Sequence, residues 1–146
     1  MKKSFLLFFI LCMPFLYASA QKNISMELYA GSNASWGYNQ HLFIDAKGNC
    51  RYILTEVNKG VKDSSSFKLT QSQLNELNAV VQRVSFFGLD GVYKTNAVDG
   101  DALYIKITSA GKSHEVSLTN KHIKEMDEIL DKVNELLSLK KIKINY

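Results

Sequence analysis

Two kinds of apolar repeat alternate along this chain, and their succession decides which folds are open to it. Residues 40–57 and 103–118 alternate apolar and polar side chains, and a glycine-containing turn interrupts each segment, as in a β-hairpin. Over residues 74–84 and 123–137, apolar residues recur every three or four positions, as on one face of a helix. The order strands, helix, hairpin, helix predicts an α+β domain.

The connections between the predicted strands are short. We therefore expect a largely antiparallel sheet of about five to six strands, with two helices packed on one face. Residues 26–29 and 66–69 are predicted to add short strands, whereas the polar segment 58–66 is predicted to be a loop. Thr70 and Gln73 have the spacing of a capping box, which predicts where the first helix begins.

The second helix is expected to follow Thr119 or Asn120, either of which can cap its first turn. Glu128 and Lys132 are four residues apart, a spacing that predicts an ion pair on the outer face of the helix. Residues 140–146 alternate basic and apolar side chains, so they form either an edge strand or a tail.

The first twenty residues have the pattern of a secretory signal peptide. Lys2 and Lys3 precede an uncharged stretch over residues 5–17, and small residues at Ala18 and Ala20 predict cleavage between Ala20 and Gln21. As a helix that stretch rises about 20 Å, less than the ~30 Å hydrocarbon core, so no membrane span is expected after its removal. We therefore expect a signal peptide over 1–20 and a single α+β domain over 21–146, periplasmic or extracellular.

The charge and cysteine content narrow the class of protein further. The formal net charge of +4 includes Lys2 and Lys3, and the other basic residues are scattered among acidic ones, so no nucleic-acid partner is expected. Beyond the predicted cleavage site, Cys50 is the only cysteine, which excludes an internal disulfide. A core of ordinary apolar side chains must therefore hold the domain together.

The residue types that carry catalysis or bind metals show no convincing constellation. Cys50 lies on the apolar face of its predicted strand, where a core role is expected. His114 and His122 have no evident third ligand, and His41 lies far from both in sequence. Residues 99–101 resemble the start of a calcium loop but lack its closing glutamate. We expect no catalytic residue, no metal and no cofactor.

One segment is typical of a binding surface. Tyr29, Trp36 and Tyr38 flank a loop of small polar residues over 31–35, and Trp36 is the only tryptophan. Such aromatic side chains can stack on a sugar or insert into a protein partner. In the alternative interpretation, Trp36 only covers the open end of the sheet.

Residues 67–137 resemble small exported bacterial domains of unknown function. The matching residues are Phe86-Phe87-Gly88-Leu89, Tyr93, Asp101, Tyr104-Ile105-Lys106-Ile107 and Gly111-Lys112-Ser113-His114-Glu115-Val116, followed by the last helix. The same layout is similar to emfourin-like inhibitors of secreted metalloproteases. The resemblance implies a fold and transfers no catalytic residue or inhibitory loop.

Taken together, these patterns predict a secreted or periplasmic, non-enzymatic binding module. A protein or an envelope glycan is the expected partner, and Trp36, Tyr38 and Tyr29 are the expected contact residues. Two alternatives stay open. One is an emfourin-like protease inhibitor, and the other is a hydrolase whose acidic residues come together only in the folded chain.

Overall fold

The computed structural model describes residues 23–32, 37–96 and 100–146. The strands within these ranges are β1 (Ile24–Ser32), β2 (Tyr38–Ile44), β3 (Asn49–Glu56), β4 (Gly60–Lys68), β5 (Val92–Lys94), β6 (Asp101–Ser109) and β7 (Lys112–Thr119). The helices are α1 (Gln71–Arg83) and α2 (Lys124–Leu137), and short 3-10 turns follow at Phe86–Gly88 and Ser138–Lys140. Among the helices of these ranges, none combines the length and the apolar character that crossing a bilayer requires.

The strands form one seven-stranded sheet in the order β4-β3-β2-β1-β6-β7-β5. Five neighbouring pairs are antiparallel, and β5 lies parallel to β7. No hairpin joins β5 to β7, because α1 and the turn after it carry the chain from the edge strand β4 to the opposite edge. The expected α+β class is confirmed, but the expected number of about five to six strands was too low.

The undercount has a local cause in β4, which occupies the segment predicted to be a loop. Its side chains are mostly exposed, and its serines pair with β3, with Ser64 opposite Ile53 and Ser66 opposite Arg51. An edge strand has one neighbour and can be polar on both faces, so apolar alternation does not reveal it. The loop prediction for residues 58–66 was therefore wrong over most of its length.

The hydrophobic core lies on one face of the sheet. Alternate residues of β1, including Met26 and Leu28, point to the same side as the apolar stripes of α1 and α2 and belong to one buried cluster. The opposite side, called the open face below, has no helix packed on it within the described residues. It carries the side chains of Glu27, Tyr29, His41, Phe43, Tyr104 and Lys106.

The start of α1 was predicted correctly. Thr70 Oγ1 accepts a hydrogen bond from the Gln73 backbone N–H at 3.2 Å, and Gln73 Oε1 accepts one from the Thr70 N–H at 2.8 Å. The start of α2 was predicted wrongly, because the helix begins after Ile123 and neither Thr119 nor Asn120 caps it. The Asn120 carboxamide instead accepts a hydrogen bond from the Asp101 N–H, at 3.0 Å, and thus serves the start of β6.

Ion pairs join the two helices to each other. Glu128 contacts Arg83 of α1 at 3.0 Å, and Lys132 contacts Glu76 of α1 at 3.1 Å and Glu135 at 2.7 Å. The predicted pair between Glu128 and Lys132 is therefore replaced by pairs with α1. The sequence spacing was right for an isolated helix, but the acid and base each find a closer partner across the helix interface.

The C-terminal segment is neither of the two structures expected for it. Residues 141–146, called the strap below, extend across the core side of the sheet without joining it as a strand. Lys141 takes a left-handed conformation with φ 55°, which redirects the chain after α2. Ile144 is 1% exposed, and Ile142 and Tyr146 pack against the core. The strap is thus part of the folded domain.

Candidate functional site

An open cleft of about 810 Å³ lies between the strap and the sheet. Its residues come from the end of β1, the start of β2, the end of β3, the start of β4, the start of β6 and the strap. These elements meet because antiparallel neighbours bring the ends of some strands beside the starts of others. The strap forms one wall, so the cleft exists only when the strap is in place.

The floor of the cleft contains a buried polar side chain, Gln40. Its Nε2 donates to the Tyr52 hydroxyl at 2.9 Å and to the Lys143 carbonyl at 2.7 Å, and its Oε1 accepts from the Asn145 N–H at 2.9 Å. The oxygen and the nitrogen of the carboxamide therefore both have hydrogen-bond partners. Gln40 is only 8% exposed, and a buried polar group needs such partners. Gln40 fixes the wall of the cleft against its floor.

The exposed aromatic side chain of the cleft is Tyr38, the first residue of β2. The Lys62 ammonium donates to the Tyr38 hydroxyl at 2.9 Å and lies 4.4 Å from the centre of the ring. The hydrogen bond to Tyr38 raises the pKa of Lys62 above its ordinary value. Although Tyr38 is 46% exposed, Lys62 restricts its orientation, so the ring is a preformed contact surface.

Besides Lys62, four charged side chains at the cleft have no ion-pair partner among the described residues. These are the carboxylates of Asp63 and Asp101 and the ammonium groups of Lys141 and Lys143. Asp63 belongs to β4 and Asp101 to β6, and β3, β2 and β1 lie between those strands. Four strand spacings amount to roughly 19 Å of sheet, so the cleft is elongated and carries both signs of charge.

The structure separates two of the three aromatic residues proposed from the sequence. Tyr38 lines the cleft, whereas Tyr29 lies on the open face. The Tyr29 hydroxyl donates to Asn39 Oδ1 at 3.1 Å, and its ring packs edge-on against His41 with centroids 4.8 Å apart. Trp36 lies outside the described residues. Tyr29 and Tyr38 therefore cannot contact the same small ligand.

The thiol of Cys50 has the core role that the sequence predicted. Cys50 is buried, and its Sγ donates to the Gly48 carbonyl at 3.4 Å. Burial raises the thiol pKa to about 11, so the nucleophilic thiolate is scarce near neutral pH.

The three histidines lie in three different environments. His41 is on the open face, where burial lowers its pKa, and His114 contacts the Leu89 carbonyl at 3.0 Å beside Phe86. His122 precedes α2 and lies 3.1 Å from an Asp127 carboxylate oxygen. Within the described ranges, no three side chains of His, Cys, Asp or Glu come together as a metal site. Asp99, in the segment that resembles the start of a calcium loop, lies outside those ranges.

Among the described residues, the pair of His122 and Asp127 is the arrangement closest to a catalytic dyad, and no sequence pattern pointed to it. Both side chains are largely exposed, and the neighbouring Tyr146 ring lies 4.9 Å from His122 between centroids. The Tyr146 hydroxyl donates its hydrogen to the Lys121 carbonyl at 2.8 Å, and not to His122 as a nucleophile would. A dyad of this kind needs an activated nucleophile within hydrogen-bond reach, and Tyr146 does not supply one.

The two-layer arrangement of sheet and helices, with an open cleft that has the strap as one wall, defines a small α+β domain. A family model described as a domain of unknown function, DUF6438, matches residues 39–137. The chain therefore belongs to this family, which confirms the expected resemblance to a domain of unknown function. The match begins within β2 and ends with α2, so β1 and the strap lie outside it. No curated protein matches the chain.

Proposed function

We propose that this protein is an exported, non-enzymatic binding module whose ligand enters the cleft beside Tyr38. The observation that carries the proposal is the restrained, exposed ring of Tyr38 next to charged groups that make no ion pair in the described chain. A preformed aromatic surface loses little conformational entropy on binding, and the free carboxylates and ammonium groups are available to orient a polar ligand. The signal-like segment over residues 1–20 supports export.

The charge pattern favours an envelope glycan that carries both carboxylates and amino groups. Asp63 and Asp101 can accept hydrogen bonds from amino or hydroxyl groups, and Lys141 and Lys143 can pair with carboxylates. The elongated shape, across five strands, suits a chain-like ligand better than a compact metabolite. Peptidoglycan fragments have this combination of chemical groups, and they are the ligand that we propose.

The arrangement of acidic groups argues against the hydrolase alternative. Glycosidic hydrolysis uses two carboxyl groups about 5 to 10 Å apart, whereas Asp63 and Asp101 belong to strands four spacings apart. Cys50 is buried with a raised pKa, and the pair of His122 and Asp127 has no nucleophile beside it. Binding without turnover is therefore the activity that we propose.

The experiment is a calorimetric titration of the chain with soluble muropeptides. Tyr38→Ala should weaken binding about tenfold or more, as expected when an anchoring aromatic residue is removed. Phe43→Ala is the matched control, because Phe43 is 37% exposed but lies on the open face. Equal losses in the two variants, or no binding by the unmodified chain, would refute the proposed ligand.

The emfourin-like layout motivates a second assay on the same material. Titration against a panel of secreted metalloproteases tests the inhibitor alternative directly. Tight, stoichiometric inhibition would replace the proposed glycan function, whereas slow digestion of the chain without inhibition would exclude an inhibitor of those proteases.

A further inference from the structure

The open face of the sheet carries more aromatic side chains than a surface that only meets water. An antiparallel sheet with one solvated side normally has polar residues on that side. Here Tyr29, His41 and Tyr104 contribute half-buried rings, and the ring of Phe43 beside them is 37% exposed. Aromatic residues are enriched at protein interfaces. This composition indicates a contact surface on the side of the sheet that lacks helices.

Opposite charges and like rings flank the seam between β1 and β6 on the open face. Glu27 of β1 is the register partner of Lys106 of β6, and Tyr29 is the register partner of Tyr104. Neither Glu27 nor Lys106 forms an ion pair within the described residues. Both charges are therefore available to a molecule that covers this face.

The arrangement along this seam is complementary to a second copy of itself. In an interface with two-fold symmetry, each residue meets its contact partner twice, once in each direction. A two-fold axis along the seam places β1 of each copy over β6 of the other. Glu27 of each copy then faces Lys106 of the other, and Tyr29 faces Tyr104. Packed sheets keep their strand directions within about 30°, so this match holds near the axis.

Other positions of the axis fit less well. With the axis between β2 and β1, Arg51 of β3 would face Lys106, and these charges repel each other. With the axis between β6 and β7, only four strands of each sheet would overlap, whereas the β1–β6 seam lets six overlap. The seam that pairs opposite charges is thus also the one that gives a broad contact.

The size of the overlap indicates how strong the contact can be. Six strands spaced 4.8 Å apart, each contributing five residues, cover roughly 500 Å² of sheet per copy. A total of about 1,000 Å² lies at the lower limit for specific interfaces. A weak and reversible dimer is therefore expected.

We propose that the chain forms a symmetric dimer through the open face, in which Glu27 of each copy pairs with Lys106 of the other. The inference does not depend on the glycan proposal, because the cleft lies between the strap and the core side of the sheet. Both clefts stay accessible in the dimer and face away from each other. For the glycan proposed above, two clefts on one dimer would raise the avidity for a polymer.

Sedimentation equilibrium of the unmodified chain measures the dissociation constant, which we expect between micromolar and millimolar. Glu27→Lys places two positive charges at each contact, and Lys106→Glu places two negative charges there. Each substitution should weaken the dimer at least tenfold, because like charges in an interface are costly. The control is Lys140→Glu, the same change of charge at an exposed residue of the turn after α2, which should leave the dissociation constant unchanged.

Mixing the two single variants separates a contact between copies from an effect within one copy. A dimer of one Glu27→Lys chain and one Lys106→Glu chain has opposite charges at both contacts, whereas neither variant can pair favourably with itself. The mixture should therefore dimerise at least tenfold more tightly than either variant alone. Both variants keep a positive formal net charge, +6 and +2 against +4 for the unmodified chain, so general attraction between them cannot cause this rescue.

Backbone amide resonances of the unmodified chain give a test that needs no substitution. As the concentration rises from micromolar to millimolar, the resonances of Tyr29 and Tyr104 should shift, and that of Tyr52, on the core side, should not. A chain that stays monomeric at millimolar concentration overturns the proposal. A dimer that both charge reversals leave unchanged, or a mixture without rescue, overturns it as well, because another surface or another cause is then responsible.

Failure of this proposal is distinguishable from failure of the glycan proposal. Lys106→Glu should leave the affinity for soluble muropeptides unchanged, since each of these occupies a single cleft. Tyr38→Ala should lose that affinity and leave the dissociation constant of the dimer unchanged.

Discussion

Gln40 and Asn145 are 105 positions apart in the sequence, yet the Gln40 Oε1 accepts the backbone N–H of Asn145 at 2.9 Å. The same carboxamide donates to the Tyr52 hydroxyl and to the Lys143 carbonyl. One buried side chain therefore connects β2, β3 and the strap. This connection sets the distance between the floor and the wall of the cleft.

Replacing Gln40 with Leu should destabilise the domain by about 2 kcal/mol. Leucine has a similar volume but leaves the backbone groups of Lys143 and Asn145 without their partner, and each unsatisfied buried group costs about 1 to 3 kcal/mol. The total loss of stability is limited, because the strap can detach and let water bind these backbone groups. Urea denaturation measures the change in the free energy of unfolding.

The control for this substitution is Gln71→Leu, at an exposed glutamine that bonds only with surface side chains. Its effect should stay within about 0.5 kcal/mol. If Gln40→Leu is as stable as the unmodified chain, the strap is not held by this side chain.

The capping box at Thr70 makes a separate prediction about stability. Thr70→Ala removes the acceptor of the Gln73 N–H and should cost about 1 kcal/mol. The matched substitution Thr95→Ala, at an exposed residue after β5, should be nearly neutral. Thermal unfolding followed by circular dichroism compares the two, and equal stability of the two variants would contradict a role for the cap.

The buried thiol of Cys50 should lower the stability of the folded chain at alkaline pH. The thiol pKa is 9.0 ordinarily and about 11 in the folded chain, because burial disfavours the thiolate. Between those pH values the unfolded chain has released a proton that the folded chain retains. Stability therefore falls as pH rises, by up to about 1.4 kcal/mol per pH unit.

Denaturation at pH 8, 9, 10 and 11 measures this slope, and Cys50→Ala should reduce it. Tyr104→Phe is the comparison, since the phenol pKa is raised to about 12 and its contribution begins only above pH 10. A slope between pH 9 and 10 that Cys50→Ala leaves unchanged would show that the thiol does not cause it.

Reactivity provides a second consequence of the same burial. A thiol reagent at pH 8 should modify Cys50 slowly in the folded chain and rapidly in urea, because modification requires both access and the thiolate. Rapid modification of Cys50 without urea, measured separately from that of Cys12, would contradict its assignment to the core.

Much of the fold could be predicted from local patterns. The hairpin of β2 and β3, the hairpin of β6 and β7, and the start of α1 all follow from alternation, turn residues and the capping box of Thr70 and Gln73. These features depend on residues close together in the sequence, so one sequence suffices to recognise them.

The parts that could not be predicted depend on tertiary contacts. Asn120 has the side chain of a helix cap, but the backbone of Asp101 binds it, and β4 is an edge strand with no apolar face to reveal it. Gln40 looks like any polar strand residue, because its partners lie more than 100 positions away or on the next strand. The cleft was inaccessible to sequence reasoning for the same reason.

The pair of Tyr29 and Tyr38 shows how a missing strand register misleads a prediction from sequence. Tyr29 and Tyr38 flank the same loop and were predicted to share a surface. Strand periodicity places them on opposite faces, since Tyr29 pairs with His41 and Tyr38 lies an odd number of residues before it. The register between strands decides the face, and this register was not evident from the sequence.

The most direct measurement is a titration of isotope-labelled chain with soluble muropeptides, followed by backbone amide resonances. If the cleft is the binding site, resonances of Tyr38, Asp63, Asp101 and Lys143 should shift in a saturable way, while those of Phe43 and Arg51 on the open face stay unchanged. Shifts confined to the open face, or no shifts at millimolar ligand, would contradict the assignment of the cleft as the glycan-binding site.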